Sequence, residues 1–308
     1  MPRPLPCWQN FVGQRDIVAS LRAHARGAKR QSVILPHIAL GGPSGVGKTH
    51  LARAVAKEMG VACHEFYSSR ASKKWDVANR LSQVKRADVF FIDEVHALPT
   101  DCQELLYPAM DRLRVPAVDL ESHRVLDNEW VEIPPFTLIV ATDQPGTLLK
   151  ALKQRIVLPF TLDYYDDDEM RQIAMNYADE TGVRLTAQAA TRIAEAARGI
   201  PRRARHLLTS LKTAMRDPGV EVSKTMVDAH LASIGINWDN MTPNDIRYLK
   251  ILSERRGHVS LANLAIQLGT DTVAVQADIE GYLIKRKLIG VDCRGRFLTP
   301  EGRRFCGM

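Results

Sequence analysis

One short stretch of the chain has the residue types and spacing of a phosphate-binding loop. Residues 42–49 fit G-x-x-x-x-G-K-[ST] at every fixed position. Glycines let the backbone curl so that its N–H groups face phosphate oxygens, and three are present: Gly42, Gly45 and Gly47. Lys48 would reach the β- and γ-phosphates, the Thr49 hydroxyl would ligate Mg²⁺, and His50 would lie next to the nucleotide. The stretch therefore predicts a site for ATP and Mg²⁺.

Two adjacent carboxylates, Asp93 and Glu94, follow a continuous apolar run at 89–92. Such a run is typical of a strand that is buried on both faces of a parallel sheet. In P-loop ATPases a carboxylate at this strand end holds Mg²⁺, and a neighbouring Glu can polarise the attacking water. Two acids at a strand end are often only a solvated turn, but together with the phosphate loop they favour an ATP-hydrolysing site.

The elements that must position these groups are predicted to be alternating strands and helices. The apolar run 37–40 precedes the phosphate loop, and residues 51–59 follow it with helix-forming composition. A third run, 136–143, is typical of another buried strand with a polar end. The acidic residues 166–169 are expected to cap a helix that runs from residue 170 to 181, rather than to bind a metal. This pattern predicts an α/β fold with a parallel sheet.

The chain from about residue 240 predicts a separate module. Thr242 begins one helix, Ser260 caps a short helix, and Asp271 caps a longer one. A hairpin follows, with its turn expected at Arg294-Gly295-Arg296. This is the order of a winged helix, in which Arg294 and Arg296 would contact DNA. Winged helices also dock proteins, so a protein partner stays open as an alternative.

Composition favours a cytoplasmic protein. The chain has 308 residues, of which 45% are apolar, and a formal charge of +7. No apolar segment approaches the roughly 20 residues that a membrane span needs. The five cysteines are scattered and are predicted to be reduced thiols rather than a disulfide framework. The positive charge permits a polyanionic partner without identifying one.

Several short motifs follow one another in a fixed order. They are Phe11-Val12-Gly13-Gln14, the phosphate loop, and the stretches 91–96, 106–110, 135–139 and 199–202, with the winged helix last. This ordered set resembles the RuvB family, AAA+ ATPases that drive branch migration of Holliday junctions, over nearly the whole chain. The resemblance implies a hexameric ring around duplex DNA. It also implies three domains: an α/β nucleotide domain at 1–160, a helical lid at 161–237 and a winged helix at 240–308.

The resemblance implies further residue roles. Arg155 falls on the arginine finger, which would reach the γ-phosphate held by a neighbouring subunit. Arg202 falls on the second sensor of the nucleotide, and Asp143 falls on the first. Arg294 matches the wing residue assigned to DNA. The residues that the resemblance places around the adenine are Arg3, Phe11, Val12 and Tyr165.

The segment 115–133 corresponds to a β-hairpin that, in the family, docks the junction-binding partner RuvA. It offers apolar side chains for such a contact: Val125, Leu126, Trp130, Val131 and Ile133. The alternative for Trp130 is packing within the hairpin itself.

The chain departs from the family at the first sensor, where Asp143 replaces Thr and adds negative charge near the γ-phosphate. A specialised relative within the family is therefore one interpretation. A second is an AAA+ ATPase that remodels or loads a protein, with the winged helix as a docking module. A third is a non-catalytic subunit that binds ATP as a structural switch. The intact Lys48, Asp93, Glu94 and Arg155 oppose this third interpretation.

Overall fold

The computed structural model describes residue 8 and residues 11–307 except 216, 218 and 256, without the side chain of residue 127. Arg3, expected beside the adenine, lies outside the described residues. The chain divides into two compact units, Met1–Tyr165 and Asp166–Met308. The division of the second unit into a lid and a winged helix stays a prediction.

A five-stranded parallel sheet forms the centre of the first unit, as the sequence predicts. Its strands are β1 (Ile38–Gly41), β2 (Cys63–Tyr67), β3 (Val89–Asp93), β6 (Thr137–Thr142) and β7 (Leu158–Thr161). They lie in the order β2-β3-β6-β1-β7. Strands β3 and β6 are buried along nearly their whole length, which explains their continuous apolar sequences. This order brings the carboxyl ends of β1, β3 and β6 to one edge of the sheet.

Five helices of the described residues accompany this sheet. They are α1 (Arg15–Gln31), α2 (Lys48–Met59), α3 (Lys74–Leu81), α4 (Thr100–Arg112) and α5 (Lys150–Lys153). Helix α2 ends at Gly60, whose φ of 76° is the left-handed geometry of a helix C-terminus. Phe90, Leu106 and Phe136 lie in one buried cluster that joins α4 to the sheet. That cluster fixes the strand end at which the acidic pair lies.

The predicted hairpin is formed by β4 (Arg114–Asp119) and β5 (Arg124–Glu132), which pair antiparallel. Its base is part of the core, because Val115 is fully buried and Ile133 is only 5% exposed. The expectation that Ile133 belongs to an exposed apolar ribbon is therefore wrong. The residue follows the last paired position of β5 and packs inward.

Four helices form the first part of the second unit. They are α6 (Asp167–Thr181), α7 (Ala187–Ala197), α8 (Pro201–Ala214) and α9 (Lys224–Ser233). Asp166 caps α6 by accepting from the Glu169 backbone N–H at 2.7 Å, and the Glu169 carboxylate accepts from the Asp166 N–H at 3.2 Å. The acidic block thus caps the helix as predicted, although the helix begins at residue 167 rather than 170.

The second part of this unit has the winged-helix order. Its helices are α10 (Pro243–Arg255), α11 (Leu261–Leu268), α12 (Thr272–Ala274), α13 (Gly281–Lys285) and α14 (Pro300–Phe305), and its hairpin is β8 (Ile289–Asp292) with β9 (Gly295–Leu298). A π-helical segment, Val275–Glu280, joins α12 to α13. Fully buried Tyr248 lies in the core of this part. The longer helix expected after Asp271 is present: Asp271 accepts from the Ala274 N–H at 2.8 Å, and the π-helical segment lies in the middle of the helix.

Two further features bear on the expectations from composition. Within the described part of the chain, no helix has the length and apolar character needed to span a bilayer. The cysteines described there, Cys63, Cys102, Cys293 and Cys306, are free thiols.

Candidate functional site

The phosphate loop connects β1 to α2 in the strand–loop–helix order that the motif requires. Gly42, Gly45 and Gly47 have φ values of 131°, 83° and 109°, in the region that a residue without Cβ adopts most easily. A Cβ on Gly42 would lie 2.4 Å from the carbonyl oxygen of Leu162. This loop therefore requires glycine both for its turn and for the close approach of a neighbouring backbone.

Lys48 is the first residue of α2, and only 5% of it is exposed. Its Nζ donates to the carbonyl oxygens of Gly42 and Pro43 at 2.7 and 2.9 Å. The cation is thereby held against the loop, at a helix N-terminus whose free N–H groups also favour negative charge. This arrangement is suited to bind a polyphosphate.

Two aromatic side chains from distant parts of the sequence meet the same loop. Tyr165 is 2% exposed and donates its hydroxyl to the Val46 carbonyl oxygen at 2.8 Å. The ring of Phe11 lies 3.4 Å from the position of a Cβ on Gly47. Val12 is half-buried, whereas His50 is exposed on the first turn of α2. The structure thus brings Phe11 and Tyr165, both predicted adenine contacts, to the phosphate loop.

The first residue of the acidic pair contacts the loop directly. The Thr49 hydroxyl donates to Asp93 Oδ2 at 3.1 Å, and the Glu94 backbone N–H donates to Asp93 Oδ1 at 3.1 Å. A hydroxyl and a carboxylate are the hard oxygen ligands that Mg²⁺ prefers. The residues present therefore fit the metal that the motif implies.

Glu94 and Asp143 come together around a histidine to which the sequence analysis assigned no role. His96 Nδ1 lies 3.4 Å from Glu94 Oε2, 3.4 Å from Asp143 Oδ1 and 3.1 Å from Thr142 Oγ1. Burial and the charge of Asp143 raise the pKa of Glu94 above its usual value. The signal for His96 is its position two residues after Glu94, in the 3₁₀ turn Val95–Ala97 that follows β3.

Arg155 is anchored within its own chain. Its Nε lies 3.0 and 2.9 Å from the two carboxylate oxygens of Asp111, its Nη1 donates to the Ala151 carbonyl oxygen, and its guanidinium lies 4.8 Å from the centre of the Tyr107 ring. The hydrogen bond to Asp111 raises the pKa of Arg155. Asp111, which the sequence analysis did not single out, thus holds the guanidinium at the end of α4.

In the second unit, Arg202 lies exposed on the first turn of α8. Nearby Arg198 is buried and bonds to Asp245 of α10, with side-chain exposures of 1% and 0%. Burial, with repulsion from Arg198, lowers the pKa of Arg203 to about 10. The end of α7, where Arg198 is the C-cap, and the start of α10 are therefore joined by a buried charged contact.

The hairpin β8–β9, which is the wing, places the two arginines that were predicted to contact DNA in different environments. The turn between β8 and β9 consists of residues 293–294, so Arg294 lies at the tip with 71% of its side chain exposed. Arg296 lies in β9 and turns inward, where its Nε donates to Glu280 at 2.8 Å and its side chain is only 14% exposed. The prediction that Arg296 is available to DNA at the tip of the turn is wrong, because its guanidinium is paired with the Glu280 carboxylate.

The hairpin β4–β5 presents several apolar side chains to solvent. They are Leu120 at 59% exposure, Leu126 at 36%, Trp130 at 44% and Val131 at 41%. Trp130 also receives the Arg114 guanidinium, 4.4 Å from its ring centre. Its contact within the hairpin therefore coexists with substantial exposure.

Comparison with known proteins connects this arrangement to one family. Residues 3–162 match the family described as "Holliday junction DNA helicase RuvB P-loop domain". Residues 240–307 match the family described as "RuvB C-terminal winged helix domain". The "Holliday junction branch migration complex subunit RuvB" of Rhodospirillum centenum is 32% identical, over 99% of this chain and 85% of that protein. The same subunit of Campylobacter fetus is 33% identical, over 99% of this chain and 89% of that protein.

A solved structure has a similar fold over nearly its whole length. It is described as the Thermotoga maritima RuvB Holliday junction branch migration motor, and it superposes with a TM-score of 0.86 at 29% identity. The alignment covers 99% of this chain and 98% of that structure. The likeness therefore includes the nucleotide unit and the winged helix together.

Proposed function

The chain belongs to the RuvB family, and from this membership we propose that it is an ATP-driven motor for the branch migration of Holliday junctions. The observation that carries the proposal is the contact between the phosphate loop and the acidic pair, in which the Thr49 hydroxyl bonds to Asp93 beside buried Lys48. A winged helix in the same chain supplies a module for duplex DNA.

ATP is proposed to bind with its phosphates against the loop. Lys48 would neutralise phosphate charge, and Thr49 and Asp93 would hold Mg²⁺, which supplies charge neutralisation between the phosphates. Glu94 would orient and polarise the water that attacks the γ-phosphate. Asp143 would occupy the first-sensor position near that phosphate.

The adenine is proposed to lie against Phe11, Val12 and Tyr165. This assignment is supported by the contacts of Phe11 and Tyr165 with the loop. Arg3 is retained in the proposal on the family resemblance alone.

Completion of the site is proposed to require a second subunit. Arg155 would leave Asp111 and reach the γ-phosphate bound by a neighbour in a hexameric ring, and Arg202 would contact the nucleotide of its own subunit. An arginine supplied in trans is worth about 10³–10⁵-fold in turnover. Hydrolysis would thereby depend on assembly, which couples it to the ring around DNA.

The DNA and protein partners follow from the exposed groups of the wing and the hairpin. Arg294 is proposed to contact the DNA backbone, and hairpin β4–β5 is proposed to dock a RuvA-like junction-binding protein through Leu126, Trp130 and Val131, with Val125 beside them. The protein would act on Holliday junction DNA in the cytoplasm.

A branch-migration assay tests the proposal. The purified chain is mixed with ATP, Mg²⁺, a synthetic four-way junction and a junction-binding partner, and the separation into duplex products is measured. Glu94→Gln should bind ATP and the junction but yield no products, whereas Ser233→Ala, on the exposed end of α9, is the matched control and should retain them. ATP hydrolysis without binding of duplex or junction DNA would instead favour a protein-remodelling ATPase.

A further inference from the structure

Glu94, His96 and Asp143 form a compact group of side chains with metal-ligand chemistry. One ligand atom from each residue lies within 4.8 Å of the other two. His96 Nδ1 lies between the carboxylates, at 3.4 Å from each. Two carboxylates and one imidazole therefore converge on one small volume at the carboxyl edge of the sheet, next to the pair formed by Thr49 and Asp93.

The separation of these atoms matches the size of a small divalent ion. Ligands that lie about 2.1 Å from a tetrahedral ion are about 3.4 Å apart. Both distances from His96 Nδ1 equal that edge. In addition, Asp143 Oδ1 is buried and accepts no hydrogen bond, although it lies within ion-pair range of His96. A buried carboxylate oxygen with an unused lone pair, aimed into the group, is a feature that a bound cation would explain.

The charge of the group points in the same direction. Glu94 and Asp143 place two carboxylates against one imidazole, with 37% and 21% of their side chains exposed. His96 Nδ1 also lies near the Thr142 hydroxyl, which accepts from the Gln144 N–H. A rotation of that hydroxyl would leave the imidazole nitrogen free to ligate.

We propose that Glu94, His96 and Asp143 bind a divalent transition-metal ion, in a site separate from the Mg²⁺ site of Thr49 and Asp93. An imidazole nitrogen combined with two carboxylates favours Mn²⁺, Co²⁺ or Zn²⁺ over Mg²⁺. If the proposed ATPase function holds, Glu94 gives Oε2 to the ion and keeps its other carboxylate oxygen for the attacking water, and the ion offsets the negative charge that Asp143 adds near the γ-phosphate.

Binding of Mn²⁺ to the full chain, without nucleotide or DNA, tests this site. Free Mn²⁺ is measured by electron paramagnetic resonance during a titration in excess Mg²⁺, and pulsed spectra report a nitrogen ligand. The expected result is one Mn²⁺ per chain, retained against Mg²⁺, with a nitrogen coupling that His96→Gln removes. Loss of an outer-shell partner alone weakens metal sites by about tenfold or more, so Asp143→Thr should weaken binding by at least that factor.

Two further variants make the result decisive. Asp143→Asn keeps the size of the side chain and should weaken Mn²⁺ binding like Asp143→Thr. Asp93→Asn leaves the three ligands in place and should retain the ion. The inference is overturned if the wild type binds no Mn²⁺ in excess Mg²⁺, or if both Asp143 variants bind it normally. It is also overturned if Asp93→Asn alone abolishes binding, because the ion then belongs to the Mg²⁺ site. Since nucleotide and DNA are absent, these failures differ from failure of the motor function.

Discussion

Replacement of Asp245 by Asn should strongly destabilise the second unit. Asp245 is fully buried and its carboxylate receives Arg198, which is 1% exposed. Arg198 also donates its Nε to the Asn240 carbonyl oxygen at 2.8 Å and lies 3.8 Å from the centre of the Tyr282 ring. The guanidinium therefore has no route to water, and Asp245→Asn leaves its charge buried without an anion.

The magnitude follows from this burial. Removal of one partner from a buried ion pair costs about 3–5 kcal/mol. The Asn side chain can still accept from the Thr242 N–H, which donates to Asp245 Oδ2 at 2.7 Å, so little of the loss comes from the helix cap, worth about 1 kcal/mol. Because small domains are stable by roughly 5–15 kcal/mol, this one change removes a large fraction of the stability.

The assay is urea unfolding of the second unit within the full chain, with far-UV circular dichroism as the signal. The matched control is Asp168→Asn, whose partner Arg171 is 51% exposed and which is itself 91% exposed. That change should cost at most about 1 kcal/mol. The double variant Arg198→Met/Asp245→Asn should recover much of the loss, because the guanidinium that Asp245→Asn leaves unpaired is then also absent.

A loss for Asp245→Asn no larger than that of Asp168→Asn would refute the reasoning. So would a double variant whose loss equals the sum of the single losses, because independent effects add. Either result would mean that the pair does not carry the contact between the end of α7 and the start of α10.

Three further predictions follow. Lys48→Ala and Arg155→Ala should each abolish ATP turnover. A mixture of the two variants should recover part of it, because one chain supplies the arginine finger and the other supplies the phosphate loop. No recovery in an assembled mixture would contradict action in trans. Arg294→Ala should reduce the magnitude of the slope of log K, where K is the DNA association constant, against log salt concentration by about 1. Arg296→Ala should mainly lower the unfolding midpoint. An unchanged slope for Arg294→Ala would show that the wing does not contact DNA. Burial lowers the pKa of His37, whose Nδ1 accepts from the Leu138 N–H. The stability that His37 contributes is therefore present above its unfolded pKa of about 6.5 and is lost as the pH falls from there toward the folded pKa. Urea midpoints measured at several pH values should fall less steeply for His37→Asn than for the wild type, and an identical fall would contradict this assignment.

Local sequence was sufficient for the features that depend on adjacent residues. The phosphate loop, the buried strand before Asp93 and the cap formed by Asp166 and Glu169 are all predicted from neighbours in the chain. Each involves backbone geometry within a few residues, where glycine, apolar runs and carboxylates have direct local effects. The membership of the RuvB family could be inferred in the same way, because it rests on an ordered set of such local motifs.

The sequence did not predict which charged side chains would have partners. Arg294 and Arg296 are equivalent in a linear reading, and only the pairing of β8 with β9 turns Arg296 toward buried Glu280. Likewise Ile133 looked like one more apolar residue of a ribbon, whereas the core below the hairpin buries it. Arg294 lies in the turn whereas Arg296 lies in β9, and Ile133 follows the last pair of β5, so the ends and the register of the strands decide which of these side chains is buried.

By itself the sequence determined the phosphate loop, the acidic strand end, the order of helices and strands, and the family to which the chain belongs. The tertiary structure alone decided that Asp111 holds Arg155, that Arg198 meets Asp245, and that His96 lies between Glu94 and Asp143. The physical reason is distance along the chain: these contacts join residues on different elements. They form only when the order of strands in the sheet and the packing of helices bring those elements together.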